Sequence, residues 1–411
     1  MRPFRKKVFA TAGYNTTYFG SGRKEFNPRK PMPRFEAYLQ EAGEGCAKHV
    51  QNPEFDEGII ANFMAARFIK QANLPGFLPF MAPSLQERPC TSVEGACGSG
   101  GRAIAHAVRS ILSDEIDTVF VAGFEVQNTM KAVYGADVLS GASYYDKERK
   151  QGHAFFFPGI FAERAGAYYN QYGYEPTRSG MAHWYQMAIE NARKNPKAQE
   201  YHNITPNLIE KGMTPPDPKR FLPHLNHFDC SKVSDGASAI VISSEEGLKR
   251  LGVDKENAIE IIAVGGAVGD ITQPPKRPTL FSNTAAASRQ AFEQAKIGVE
   301  DLGLLEIHDC FSISAIMALE AIGVAQPGQA PNTICEGHLR PQGVLPTNLS
   351  GGLCGFGHPV GASGVRMLVD LWQQLTGQAP NQVLQKKPHG LLVSMGGNDI
   401  TVTAVVVKAT K

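Results

Sequence analysis

Continuous apolar runs of strand length, each closed by glycine or a polar turn, alternate along this chain with stretches whose apolar residues recur every three or four positions. KKVFATAG near the amino terminus, DTVFVAGFE at 117–125, SDGASAIVISS at 234–244, AIEIIAVGGAVG at 258–269 and LGLLEIHDCF at 302–311 are of the first kind. HGLLVSMGGNDITVTAVVVKA supplies two more. Helical spacing runs from Arg102 to Leu112, through SNTAAASRQAFEQAKIG, through ISAIMALEAIG and through GVRMLVDLWQQL. It also extends over residues 34–72, where FEAYLQEAGEGCAKHV and GIIANFMAARFIKQA read as helices broken by QNPEFDEG. Runs that are apolar at every position, separated by helices, predict strands buried on both faces of a largely parallel sheet, an α/β fold.

Between residues 128 and 228 the pattern breaks. Aromatics, prolines and charges crowd together there, with one helical run from Arg178 to Arg193, and this predicts an inserted loop domain. The rest divides into a first half, residues 1–127 and 229–272, and a second half, 273–411, joined through the proline-rich ITQPPKRPTL. CGSGGRAI in the first half and GASGVRML in the second each open a helix that is followed by a glycine-ended apolar strand, VFVAGF or LLVSMG. This weak duplication predicts two similar α/β halves with a cleft between them, the usual place for a site.

Composition narrows what that cleft serves. The 411 residues carry a formal net charge of +2 and 19% charged residues, so no basic surplus points to nucleic acid or to a polybasic membrane patch. No apolar run reaches the ~18 residues of a membrane span. Seven cysteines without regular spacing do not make a disulfide framework and point to a reducing, cytoplasmic setting. Small molecules and other subunits are the expected partners. Arg2, Arg5, Lys6, Lys7, Arg23 and Lys24 stand in the first 24 residues without an acid, as in a transit peptide, but VFATAGYNTTYFG reads as a strand entering a turn.

Four short stretches carry candidate chemistry. In VEGACGSGGRAI, Cys97 precedes a helix, where unpaired N–H groups and the helix dipole favour a thiolate, and the glycines that follow open the main chain to a substrate carbonyl. In EIHDCF, His308 and Cys310 end an apolar strand two residues apart, so extended geometry points both to one face. In GFGHPVGASG, His358 is held between glycines and a proline just before a helix. In SMGGN, the pair Gly396 and Gly397 can present N–H donors to a developing oxyanion. A thiol nucleophile, an imidazole, a second thiol and backbone donors suit acyl transfer through a thioester. His224, His227 and Cys230 have ligand-like spacing but no evident fourth ligand, so no resident metal is expected, and Phe155, Phe156 and Phe157 read as packing.

Together these motifs resemble those of the thiolase superfamily, and within it the sterol-carrier-protein-2 type. CGSGGRAI is similar to the thiolase nucleophile motif, NLSGGLCGFGHPVGASG resembles the Gly-His-Pro motif, and HDCF is the variant this type carries where other thiolases have Asn-Glu-Ala-Phe. SDGASA and KKVFATAG fit as well, so the likeness spans nearly the whole chain. The resemblance implies a five-layered αβαβα fold of two βαβαβαββ halves, assembly as homodimer or homotetramer, and a role in fatty acid metabolism. It implies acyl-CoA and coenzyme A as substrates, no permanently bound cofactor, and a small OB-fold zinc-ribbon protein as partner. Cys97 would take the acyl group and His358 its proton. His358 and a water on His308 would bind the thioester oxygen of the second acyl-CoA, the N–H groups of Cys97 and Gly396 that of the acyl-enzyme, and Cys310 would be the acid/base. The activity implied is that of an acyl-CoA C-acyltransferase. The rivals are a carrier-protein-dependent condensing enzyme, disfavoured by the second cysteine of HDCF, and a catalytically silent scaffold or lipid-binding subunit.

Two positions depart from the family pattern. Ser394 stands where many thiolases place their acid/base cysteine, in keeping with HDCF taking over that role. Glu94 replaces an Asn common in the family, and its carboxylate is expected to raise the Cys97 pKa unless it is turned away or hydrogen-bonded.

Overall fold

Strand β4 (Thr118–Glu125) is buried at every one of its eight positions, and so is β5 (Gly236–Ser243), as runs without polar alternation require. In the computed structural model, which describes residues 2–384 and 386–411, these two lie in a nine-stranded sheet. The other strands are β1 (Val8–Asn15), β2 (Glu57–Ala61), β3 (Cys90–Val93), β6 (Ala258–Val268), β7 (Leu302–Ile307), β8 (His389–Gly396) and β9 (Thr401–Ala409). Their order is β3-β2-β4-β5-β1-β6-β9-β8-β7, so residues 1–272 contribute six neighbours and residues 273–411 three. Strand β6 joins the halves. Its start pairs antiparallel with β1 from Ala258 to Ile261, and its full length pairs with β9, with a register shift between Ile261 and Ala263. A bulge of this kind bends a strand and lets the ribbon fold back on itself.

The long helices are α1 (Phe35–Ala47), α2 (Ser99–Leu112), α3 (Phe156–Tyr172), α4 (Tyr174–Ala192), α5 (Ser282–Ala295), α6 (Ser312–Ile322) and α7 (Ser363–Thr376). Helix α2 touches β2 and β4 of one half and β8 and β9 of the other, while α7 touches β1 and β5 on one side and β7 and β8 on the other. These two helices therefore form a central layer between the two halves of the folded-back sheet. Helix α1 covers the outer side of β1 and β5, and α5 that of β6 and β9. The result is the five-layered α/β arrangement that the sequence resemblance implies. Helix α7 is buried from Ser363 to Trp372, and its charged residues Arg366 and Asp370 pair with each other inside the layer.

The glycines beyond Cys97 serve this central layer rather than a substrate. A Cβ on Gly364 would lie 2.3 Å from the Gly101 nitrogen, and one on Gly100 would lie 2.6 Å from the Val365 nitrogen. Helices α2 and α7 thus cross backbone to backbone at their first turns. The Ser394 hydroxyl lies buried against the same crossing, beside Gly101 and Gly364.

The sheet is mixed where a largely parallel one was expected, because β1, β5, β6 and β9 pair antiparallel with every neighbour and only β2 with β3 and β4, and β7 with β8, run parallel. Three local expectations also change. GIIA, read as helix, forms β2, because the apolar run pairs in parallel with both β3 and β4. CTSV at 90–93, read as part of a turn-rich approach, is edge strand β3. Residues 128–228 hold two long helices, α3 and α4, where one helical run among loops was expected. In α3 the aromatics recur at helical spacing, with Phe156, Phe161, Tyr168 and Tyr169 buried, and Pro158 lies in the first turn where its missing N–H has no intrahelical partner to lose. Phe156 is buried and meets Phe157 edge-on at 5.2 Å, in keeping with packing, whereas Phe155 is exposed. No helix among the described residues is long and apolar enough to cross a membrane.

Because the Gly364 position is closed by backbone, Gly364→Ala should lower stability by about 3 kcal/mol, the upper end of overpacking costs. Gly76→Ala, where an added Cβ meets nothing within 4 Å, should stay within about 0.5 kcal/mol. Chemical and thermal unfolding of the two variants against the parent chain reads this difference, and equal melting curves would refute the tight crossing.

Candidate active site

Cys97 sits in a single helical turn, Ala96–Gly98, immediately before α2. Ala96 has φ of 53°, a left-handed conformation that costs a non-glycine residue about 1–3 kcal/mol and must be held by its surroundings. Three bonds hold it. The Glu94 carboxylate accepts the Ala96 N–H at 2.5 Å, the Ser99 hydroxyl donates to the Ala96 carbonyl at 2.6 Å, and the Gly95 N–H donates to Ser99 Oγ at 3.0 Å. The turn after β8 packs directly on this one, since a Cβ on Gly396 would fall 2.0 Å from the Gly95 carbonyl oxygen and 2.8 Å from the Gly98 nitrogen.

His308 and Cys310 follow β7 in the turn that leads to α6. Asp309 between them is fully buried and pins the turn, accepting the Leu353 N–H at 2.6 Å and the Trp184 indole N–H at 3.0 Å. The Cys310 sulfur lies 3.8 Å from Ser314 Oγ. His358 is fixed at three points: its N–H donates to Ser234 Oγ at 2.8 Å, its carbonyl accepts from Gln127 Nε2 at 2.9 Å, and its ring Nδ1 lies 2.6 Å from Ser363 Oγ. The Ser363 hydroxyl hydrogen is directed to the Pro359 carbonyl at 3.0 Å, so Oγ accepts from Nδ1–H and His358 Nε2 is left as a bare base.

These turns converge. Cys97 Sγ and one ring nitrogen from each of His308 and His358 lie within 4.8 Å of one another. The two imidazoles meet edge to face at 5.1 Å between centroids. Cys310 is buried next to them, close enough that a charge on Cys97 disfavours its ionisation. The Gly396 turn borders the group, and the N–H groups directed at the Cys97 sulfur are those of Gly397 and of Cys97 itself. The structure therefore gathers half-buried Cys97 and buried His308, Cys310 and His358 into one centre with Gly396 at its edge. His224, His227 and Cys230 face separate neighbours: His224 lies against Tyr169, His227 stacks on Phe221, and the Cys230 thiol is directed to the Asn226 carbonyl.

The expected thiolate is not the resting state. Burial pushes the Cys97 thiol up to about 12, outweighing the favourable Gly397 N–H and the helix start. Burial likewise drives His358 down to about 3, with Arg366 adding to the effect, and holds His308 well below the usual imidazole range. Cys310 is raised well above an ordinary thiol, first by burial. The resting centre is two neutral thiols and two neutral imidazoles. Glu94 is exposed, bonded to the Ala96 N–H, and the weakest of the influences on Cys97.

Two contributors were not singled out from sequence. Ser363 lies five residues after His358, inside a motif already noted for its glycines. Glu125, whose carboxyl burial raises to about 7, acts on Cys97 more strongly than Glu94 does, and its only sequence signal is a charge ending the apolar run VFVAGFE.

Residues 35–214 match the thiolase N-terminal domain and residues 270–409 the thiolase C-terminal domain-like family. An acetyl-CoA acetyltransferase of Methanothermobacter thermautotrophicus is 31% identical over 88% of this chain and 91% of its own. The chain belongs to the thiolase family. Among solved structures, the Ltp2-ChsH2(DUF35) aldolase matches with a TM-score of 0.76 and 18% identity over 98% of each chain. Human mitochondrial 3-ketoacyl-CoA thiolase matches with a TM-score of 0.69 and 16% identity, over 98% of this chain and 99% of that one. At such identities the structural matches establish the thiolase fold.

A thiol protonated up to about pH 12 gains thiolate about tenfold per pH unit below that point. Iodoacetamide alkylation of Cys97 in this thiolase-family chain, followed by peptide mass spectrometry, should therefore rise by about tenfold per unit from pH 6 to 9 without levelling. A plateau near neutrality would mean a resting thiolate and overturn the neutral assignment.

Proposed function

We propose that the chain is an acyl-CoA C-acyltransferase, cleaving 3-oxoacyl-CoA with coenzyme A or running the reverse Claisen condensation through a Cys97 acyl-enzyme. The observation that carries this reading is the convergence of Cys97 Sγ with the ring nitrogens of His308 and His358 within 4.8 Å, next to a second buried thiol.

In the cleavage direction Cys97 passes its proton to His358 Nε2 and its sulfur attacks C3 of the substrate. The resulting alkoxide meets the N–H groups of Cys97 and Gly396, and preorganised donors of this kind are worth about 2.7–4 kcal/mol each. The C2–C3 bond breaks with its electron pair going to C2, and Cys310 protonates that carbon. The enolate oxygen formed on the way is met by His358 and by a water on His308. Coenzyme A then gives its thiol proton to the Cys310 sulfur and attacks the acyl-enzyme, and Cys97 leaves with the proton held on His358. A resting Cys310 that keeps its proton suits the acid in the first of these steps.

A carrier-protein-dependent condensing enzyme has no use for Cys310, and a silent scaffold has no use for a centre this closely assembled. The substrates are coenzyme A thioesters of fatty acid metabolism, no cofactor stays bound, and the chain works in the cytoplasm as a homodimer or homotetramer. A small OB-fold zinc-ribbon protein as partner is supported by the DUF35 component of the Ltp2-ChsH2 aldolase, which shares this fold.

Cys97→Ser should abolish acyl-enzyme formation from acetyl-CoA, read by intact-protein mass spectrometry. Cys310→Ala should keep that acylation but lose about 10²–10⁴-fold in thiolysis of 3-oxoacyl-CoA, followed by loss of enolate absorbance. Normal thiolysis by Cys310→Ala would remove the acid/base role.

A further inference from the structure

Beyond acyl transfer, the same three groups have the composition of a soft-metal site. Among the described residues they are the group of Cys, His, Asp or Glu side chains whose ligand atoms fall within mutual reach, at 4.8 Å or less. Both imidazoles are at least nine-tenths buried, His308 at 2% and His358 at 9% exposure, and each keeps a buried ring nitrogen without a partner, Nδ1 of His308 and Nε2 of His358. Nitrogens withdrawn from water and bonded to nothing accept a ligand without giving up a hydrogen bond. The second observation is Ser363. Metal-bound histidines characteristically donate their other ring N–H to a fixed acceptor, and the Ser363 hydroxyl already accepts from His358 Nδ1, leaving Nε2 bare.

We propose that Cys97, His308 and His358 bind one zinc ion, and that this closes the enzyme reversibly. Thiolate and imidazole are the donors zinc prefers, and three protein ligands with an open fourth position complete its tetrahedral shell. Zinc bonds of about 2.0–2.3 Å hold ligand atoms about 3.5 Å apart, so rotations that move each group by about 1 Å close the set. The Cys97 S–H bond is replaced by an S–Zn bond and its proton passes to buffer, with no change of oxidation state. The inhibitory consequence rests on the acyl-transfer reading above, because zinc would occupy both the nucleophile and the base that accepts its proton. The binding itself rests on geometry alone.

Zinc chloride titrated into the full-length chain against a chromogenic chelator measures uptake independently of activity. The parent chain should take one equivalent, and Cys97→Ser and His308→Ala none at that affinity. Ser363→Ala should bind about 10–100-fold more weakly, the usual effect of losing the partner of a ligating histidine. Cys335→Ser is the control, since exposed Cys335 lies 3.5 Å from His183 Nδ1 on another surface and should not matter. In the unaltered chain, zinc should also block iodoacetamide labelling of Cys97 and stop thiolysis, with both restored by chelator. No uptake by the parent chain, or an equivalent kept by Cys97→Ser, overturns the proposal. Stoichiometric, Cys97-dependent uptake by a chain that shows no thiolysis supports the metal site and overturns only the acyl-transfer reading.

Discussion

The crossing of α2 and α7 is the constraint from which the rest follows. Each helix opens at a residue of the reactive centre: α2 begins just after Cys97, and α7 begins at Ser363, which holds His358. Contact between Gly100, Gly101, Gly364 and the Val365 nitrogen brings those two helix starts together with no side chain between them. A sulfur and an imidazole more than 250 residues apart in sequence are thereby set by backbone contact, which side-chain motion cannot relax. The halves of the sheet enclose the pair from both sides, so the site is as deeply placed as the helices that position it.

That depth governs the chemistry. A helix start and a backbone donor favour a thiolate, yet the desolvation of half-buried Cys97 outweighs both. The same penalty keeps His308 and His358 neutral. Charge in this centre therefore has to be created by moving a proton between neighbours during the reaction. Arg366 strengthens the point. Fully buried at the foot of α7 and paired with Asp370 and Glu306, it discourages a second positive charge on either imidazole.

Much of this was legible in the sequence because it depends on residue types at short range. Buried strands announced themselves as unbroken apolar runs, and the reactive side chains lay beside glycine-rich turns. What escaped reading depends on tertiary contact. GIIA carries the same residues whether helix or strand, and only pairing with β3 and β4 decides. The aromatics of α3 looked like loop chemistry because their order along the chain mixes with proline and charge, while their burial follows a helix that packs on α4 and α6. The glycines after Cys97 were visible, but their use as a helix contact required knowing that Gly364 lies opposite. The protonation state could not be read at all, because burial is a property of the assembled layers.

The two carboxylates near the nucleophile show how position overrides identity. Glu94 is closest in sequence and replaces a neutral residue common in the family, yet it is turned to solvent and spends its charge on the Ala96 N–H, holding the left-handed turn that presents Cys97. Its substitution is thus a change of scaffold more than of field. Glu125 lies 28 residues after Cys97 and is wholly buried, accepting the N–H groups of Phe63, Met64 and Gly361. Through the last of these it ties the end of β4 to the loop that carries His358. Burial raises its carboxyl to about 7, so below that pH it is neutral and above it gains a negative charge that opposes ionisation of Cys97. A carboxylate that braces the histidine loop also acts on the field at the sulfur, and its protonation near neutrality changes that field over the pH range in which the thiols and imidazoles of the centre stay neutral.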